Sequence, residues 1–79
     1  MIMNLEILFK ITQILEEIFD VSASDITPET NLFDDLGADE FDLVEISMIV
    51  EEEFDLVPDE DELKKVVTVA DLCKFVENC

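Results

Sequence analysis

Apolar residues recur at intervals of three and four near the start of the chain. One face carries most of them, with Leu8 and Phe19 beside it: Ile7, Ile11, Ile14, Leu15 and Ile18. This spacing predicts an amphipathic helix over residues 3–19. Asn4, or a residue near it, is suited to cap its start. We interpret the apolar face as part of the core, because this is the usual fate of such a stripe.

The next stretch, residues 20–38, has few signals of regular structure. Serine, threonine and aspartate favour turns here, and Pro28 discourages a continuous helix. The stretch is long for a connection in so small a domain. Apolar residues interrupt it at intervals, namely Val21, Ile26, Leu32, Phe33 and Leu36. We therefore expect this connection to be packed across the helices.

A second helix is predicted from about Asp39 to Glu53. Gly37, the one glycine of the chain, precedes it by two residues and suits a positive backbone φ. Asp39 is a good N-cap, and Asp42 lies at the spacing of a capping box. The acidic first turn also complements the helix dipole. An inward stripe continues along this helix through Leu43, Ile46, Val50 and Phe54.

A different face of the second helix carries Phe41, Glu45, Met48 and Glu52 at helical spacing. Two apolar side chains flanked by acids, with Asp39 at the helix start, would suit docking to a basic partner. The alternative is that Phe41 and Met48 simply belong to the core.

Two further helices are predicted towards the C-terminus. Pro58 breaks the chain, and the acidic run 59–62 followed by Leu63 suits the first turn of a short helix. Thr68 and Asp71 have capping-box spacing for the last helix. Its apolar face comprises Val69, Leu72, Cys73 and Val76, with Phe75 as a further core candidate. Because no alternation persists, we expect no strands. The predicted fold is all-α, with three longer helices and one short one in a single domain over residues 1–79.

The strongly negative net charge of the chain limits which molecules it can bind. Twenty-two acidic residues oppose four lysines, which gives a formal net charge of −18. Nucleic acids and anionic membranes are excluded as natural partners because both are polyanions. The N-terminal residues lack the pattern of a secretory signal, and no apolar run approaches the length of a membrane span, so we expect neither a signal peptide nor a transmembrane segment. Cys73 and Cys79 are interpreted as free thiols of a cytoplasmic protein. We expect a monomer that binds basic protein surfaces.

Catalytic and metal chemistry finds little support. Without histidine there is no Ser-His or Cys-His pair, and a single glycine cannot form a phosphate-binding loop. Two acidic clusters are weak candidates for Mg²⁺ or Ca²⁺: Asp34, Asp35 and Asp39, and Glu51, Glu52 and Asp55. A solvated acidic surface is the favoured interpretation of both. The chain is not expected to be an enzyme.

The run Asp35-Leu36-Gly37-Ala38-Asp39, and the helix ending Glu51-Glu52-Glu53-Phe54-Asp55, resemble acyl carrier proteins. The resemblance extends from about Leu5 to Val76. It implies a four-helix bundle with a long loop between the first two helices, and a second helix that is the main recognition surface. In that family a serine follows the position of Asp39 and carries 4′-phosphopantetheine through a phosphodiester.

Glu40 stands at that serine position. A carboxylate offers no hydroxyl for a phosphodiester, so no cofactor is expected on this chain. Glutamate does suit a helix N-terminus, and it places negative charge near where the cofactor phosphate would lie. Ser47 is an alternative acceptor, but it lies in mid-helix and is expected to face the core.

Three functional hypotheses follow. The first is a non-loaded docking member of a fatty-acid or polyketide type system. The second is a genuine carrier whose serine has been substituted. The third is an acidic helical protein that binds cations or imitates a polyanion.

Overall fold

The first helix begins directly after an asparagine cap. The computed structural model describes residues 4–78, and α1 spans Leu5–Phe19. The Asn4 side chain accepts hydrogen bonds from the amides of Glu6 at 2.9 Å and Ile7 at 3.3 Å. The cap predicted at Asn4 is confirmed, and α1 begins at the next residue, Leu5. Residue 3, the predicted first residue of this helix, lies outside the described residues. Of the predicted stripe, Ile11, Ile14 and Leu15 are buried, and its other members pack against them.

The connection after α1 is packed, as expected, and contains one turn of 3-10 helix at Ala23–Asp25. Leu32 is fully buried, while Ile26, Phe33 and Leu36 pack against the core. Val21 is half-buried. The apolar anchors therefore hold the connection against the bundle.

The second helix, α2, spans Glu40–Phe54 and starts with the predicted capping box. The Asp42 amide donates to Asp39 Oδ1 at 2.9 Å, and the Asp39 amide donates to Asp42 Oδ2 at 3.1 Å. Gly37 has φ 75°, the positive value that favours glycine. Leu43, Ile46 and Val50 are buried, and Phe54 packs beside them. The helix is displaced by one residue at each end from the predicted bounds.

Two helices complete the described chain, α3 over Glu60–Leu63 and α4 over Val69–Glu77. The Asp71 amide donates to Thr68 Oγ1 at 3.1 Å, and the Thr68 amide donates to Asp71 Oδ2 at 3.1 Å. All the apolar residues predicted to face inwards are buried, Phe75 included: Val69, Leu72, Cys73, Phe75 and Val76.

Backbone hydrogen bonds join the long connection to the start of α4. The Val69 amide donates to the Thr30 carbonyl at 3.0 Å, and the Ala70 amide donates to the Pro28 carbonyl at 2.9 Å. An isolated bridge pairs Asn31 with Thr68. No strand occurs within residues 4–78. The predicted all-α fold, with three longer helices, one short helix and a long loop between α1 and α2, is confirmed.

Candidate functional site

Glu40 is the first residue of α2 and is exposed to solvent. Its position follows from the capping box, which ends the connection at Asp39 and turns the chain into the helix. The one ion pair within residues 4–78 joins Lys65 Nζ to Glu62 Oε1 at 3.3 Å. The Glu40 carboxylate is thus exposed, outside any described ion pair, and at the end of α2 where the helix dipole favours negative charge.

An exposed apolar row begins at the residue after Glu40. Phe41 is 81% exposed, Val44 48% and Met48 60%. Their spacing of three and four places them along one side of α2, with the exposed Glu45 and Glu52 nearby. The alternative that Phe41 and Met48 belong to the core is therefore excluded. Sequence reasoning missed Val44, although its spacing from both residues was a usable signal.

A groove of about 730 Å³ lies between α2 and α3. Its apolar walls come from both helices and from the connections beside them: Phe33, Leu43, Val44, Met48, Pro58 and Leu63. Glu40, Glu51, Glu60 and Lys64 also line it. A second recess of about 430 Å³ shares Met48 and Glu51 with the groove and is also lined by Glu52 and Asp55. The periodicity of α2 does not reveal these spaces, because α3 and the residues before it form the opposite side.

Ser47 lies on the inner side of α2. It is 7% exposed, and its hydroxyl donates to the Val44 carbonyl at 2.7 Å. The expectation that Ser47 faces the core is confirmed. Its hydroxyl is both covered and engaged, so it is poorly placed to act as a nucleophile.

Neither acidic cluster forms a metal-binding group within the residues that the structure describes. No group of three or more histidine, cysteine or acidic residues in the described part of the chain could hold a metal ion. In the first cluster, Asp35 accepts a hydrogen bond from the Asn31 amide at 2.7 Å, and Asp39 caps α2. Loose cation binding at Asp34 or at the second cluster stays a prediction.

Cys73 is a buried free thiol. Burial, with a smaller contribution from the nearby Glu77 carboxylate, raises the pKa of the Cys73 thiol to about 11. The thiol is therefore protonated at neutral pH and poorly suited to bind zinc or attack a substrate. Cys79 lies outside the described residues. Within residues 4–78, none of the helices has the length and apolar character required to cross a bilayer.

Comparison with known proteins identifies the family. The family model described as a phosphopantetheine attachment site matches residues 10–76. Acyl carrier protein from Nitratidesulfovibrio vulgaris is 39% identical over 87% of this chain and 91% of its own length. That from Thermotoga maritima is 42% identical over 91% of this chain and 89% of its own. The chain belongs to the acyl carrier protein family.

The fold agrees with this assignment. A solved acyl carrier protein from Enterococcus faecalis superimposes with a TM-score of 0.78 and is 28% identical, covering 95% of both chains. The family resemblance read from residues 35–55 is thereby confirmed. Acyl carrier proteins are carriers rather than enzymes, which agrees with the expectation from the sequence.

Proposed function

We propose that this acyl carrier protein is a docking module of a fatty-acid or polyketide type biosynthetic system, with Glu40 at the attachment position and no phosphopantetheine attached. The observation that carries the proposal is the exposed carboxylate of Glu40 in the first turn of α2. A phosphodiester requires a hydroxyl, and the one hydroxyl in α2 belongs to the buried Ser47. The residues present do not fit covalent attachment of the family's cofactor.

The exposed row of α2 supports the docking role. Phe41, Val44 and Met48 offer apolar contact area, and methionine adapts its shape to different partners. Glu45 and Glu52 add charges that would steer a basic surface towards the row. Asp39 contributes less than the sequence suggested, because its carboxylate is engaged in the capping box. The proposed partners are basic surfaces of biosynthetic enzymes, which the protein would bind as a monomer in the cytoplasm.

Intact-mass spectrometry tests the attachment position. The parent chain, incubated with coenzyme A and a broad-specificity phosphopantetheinyl transferase, should gain no mass. Glu40→Ser supplies the missing hydroxyl and should gain one phosphopantetheinyl group. Glu40→Gln is the matched control, because it removes the same charge but adds no hydroxyl. Either substitution at Glu40, in the first turn of α2, should lower the free energy of unfolding by about half a kcal/mol. Both variants are therefore expected to fold.

Two results would count against this assignment. A mass gain by the parent that disappears in Ser47→Ala would move the attachment site to Ser47. A folded Glu40→Ser variant that gains no mass would show that the transferase does not recognise α2, and the carrier role would be abandoned.

The docking role is tested in the Glu40→Ser background by the rate of loading. Met48→Ala should lower kcat/KM for the transferase several-fold by removing part of the exposed row. Leu5→Ala is the matched control, since Leu5 is also exposed, at 75%, but lies on α1. Equal effects of the two substitutions would refute docking along α2.

A further inference from the structure

Two large apolar side chains of α1 face solvent. Leu5 is 75% exposed and Phe9 is 64% exposed, and neither belongs to the core of the described residues or packs against it. Phe9 lies about 200° around the helix axis from Ile7 and Ile11, which belong to the inward stripe. Leu5 and Phe9 therefore occupy the outer side of the helix, where folding alone would favour polar residues.

These two residues begin an exposed ridge at a spacing of four residues. Gln13 and Glu17 continue it, and both are exposed. We call Leu5, Phe9, Gln13 and Glu17 the α1 ridge. Its first half offers apolar contact area, and its second half ends in a negative charge.

The charges around the α1 ridge are negative. Glu6 and Asp20 are exposed beside its two ends, and the ion pair found within residues 4–78 includes neither of them, nor Glu17. The one basic residue of α1 is Lys10, whose ammonium lies 5.7 Å from the centre of the Phe54 ring. The positive charge of α1 is thus held beside the end of α2, and the carboxylates along the ridge are left without an ion-pair partner.

A second copy of the chain would fit the α1 ridge poorly. Each copy has a net charge of −18, so two ridges brought together would repel each other. Two apolar side chains also fall well short of the roughly 1,200 Å² buried by a stable interface. A helix with an apolar face bordered by lysine or arginine complements both the apolar and the acidic parts of the ridge.

We propose that the α1 ridge is a second docking surface, which binds a basic amphipathic helix of a partner protein. The apolar residues of that helix pack on Leu5 and Phe9, and its basic residues lie beside Glu17. A contact of this size suits transient binding. The ridge lies on a different helix from the exposed row of α2, so this binding is independent of the function proposed for that row.

A synthetic amphipathic helix of about 18 residues, or five turns, serves as the probe. It carries leucines and one central tryptophan on one face, with lysines along both borders. The protein contains neither tryptophan nor tyrosine, so the fluorescence excited at long wavelength reports on the peptide alone. The titration uses Phe41→Ser, which removes the most exposed residue of the α2 row. We expect binding at one site, with a blue shift of the tryptophan emission.

Further substitutions locate the bound peptide. Phe9→Ser, added to the Phe41→Ser variant, should weaken binding roughly ten-fold. Val57→Ser is the matched control, because Val57 is also apolar and 87% exposed but lies between α2 and α3. Glu17→Gln should weaken binding about two- to three-fold, as expected for one exposed ion pair. Glu29→Gln, at an exposed position in the long connection, should have a smaller effect.

Several results would refute the proposal. Equal weakening by Phe9→Ser and Val57→Ser would indicate adsorption to any exposed apolar residue, and equal weakening by Glu17→Gln and Glu29→Gln would leave only the general field of the protein. Binding to the parent that disappears in a folded Phe41→Ser variant would assign the peptide to α2. Equal binding of a peptide with glutamates in place of its lysines would remove the charge complementarity. In sedimentation equilibrium, a dimer of the parent that Phe9→Ser dissociates would assign the ridge to a second copy.

Discussion

Replacing Asp55 with asparagine should stabilise the protein, because Asp55 adds negative charge at the C-terminus of α2. Asp55 is the C-cap and has φ 50°, a left-handed conformation that is uncommon outside glycine. The last turn before it contains three glutamates and no basic residue. Its amide and that of Leu56 both donate to the Glu51 carbonyl. These backbone bonds are independent of the side chain, so the substitution changes mainly the charge.

The magnitude follows from the interaction of one charge with the helix dipole. An exposed charge at a helix terminus contributes about 0.3–1 kcal/mol at low ionic strength. Asparagine tolerates the left-handed region as aspartate does, so no backbone strain is added. A gain near 0.5 kcal/mol would raise the melting temperature of a domain this size by roughly 2–4 °C. Salt at about 1 M shortens the screening length to about 3 Å and should remove most of the gain.

Thermal and urea denaturation at low and high salt would measure the effect. Glu29→Gln is the matched control for general charge repulsion, since Glu29 is exposed in the connection and does not cap a helix. Asp20→Asn should behave like Asp55→Asn, because Asp20 caps α1 with φ 54°. An equal gain from Glu29→Gln, or a gain from Asp55→Asn that persists at high salt, would refute the argument from the helix dipole.

Three further predictions concern stability. The Lys10 ammonium lies 5.7 Å from the centre of the Phe54 ring. Lys10→Gln should therefore lower the free energy of unfolding, measured by urea denaturation, by about 0.5–1 kcal/mol. An equal decrease from Lys65→Gln, whose ion pair is exposed, would contradict this prediction. Met48→Ala should lower the free energy of unfolding by less than about 1 kcal/mol because Met48 is exposed, whereas Ile46→Ala should lower it by about 2–5 kcal/mol because Ile46 is buried. Similar decreases for the two variants in urea denaturation would assign Met48 to the core. Millimolar Mg²⁺ should raise the melting temperature more than sodium chloride of matched ionic strength, and equal shifts would leave only general screening.

The helices could be predicted because their signals are local. The stripe around Ile11, the capping box of Asp39 and Asp42, and the box of Thr68 each depend on residues within a few turns. Spacing alone left Met48 open between an exposed surface and the core, and the structure shows that it is exposed.

Features that join distant segments could not be predicted in the same way. The groove requires Leu43 on α2 and Leu63 near the end of α3 to lie opposite each other, and the contact of Lys10 with Phe54 requires the packing of α1 on α2. The left-handed caps were also missed. Glycine is the usual residue there, whereas this chain uses Asp20 and Asp55.

The carbonyls of Pro28 and Thr30 serve as an N-terminal cap for α4, supplied by the connection that follows α1. A helix of nine residues is marginal by itself, and its first amides are satisfied only after a long loop has closed. The loop and the helix should therefore form together rather than in sequence. In native-state hydrogen exchange, the amides of Val69 and Ala70 should open with the whole domain and not with the fraying of a helix end.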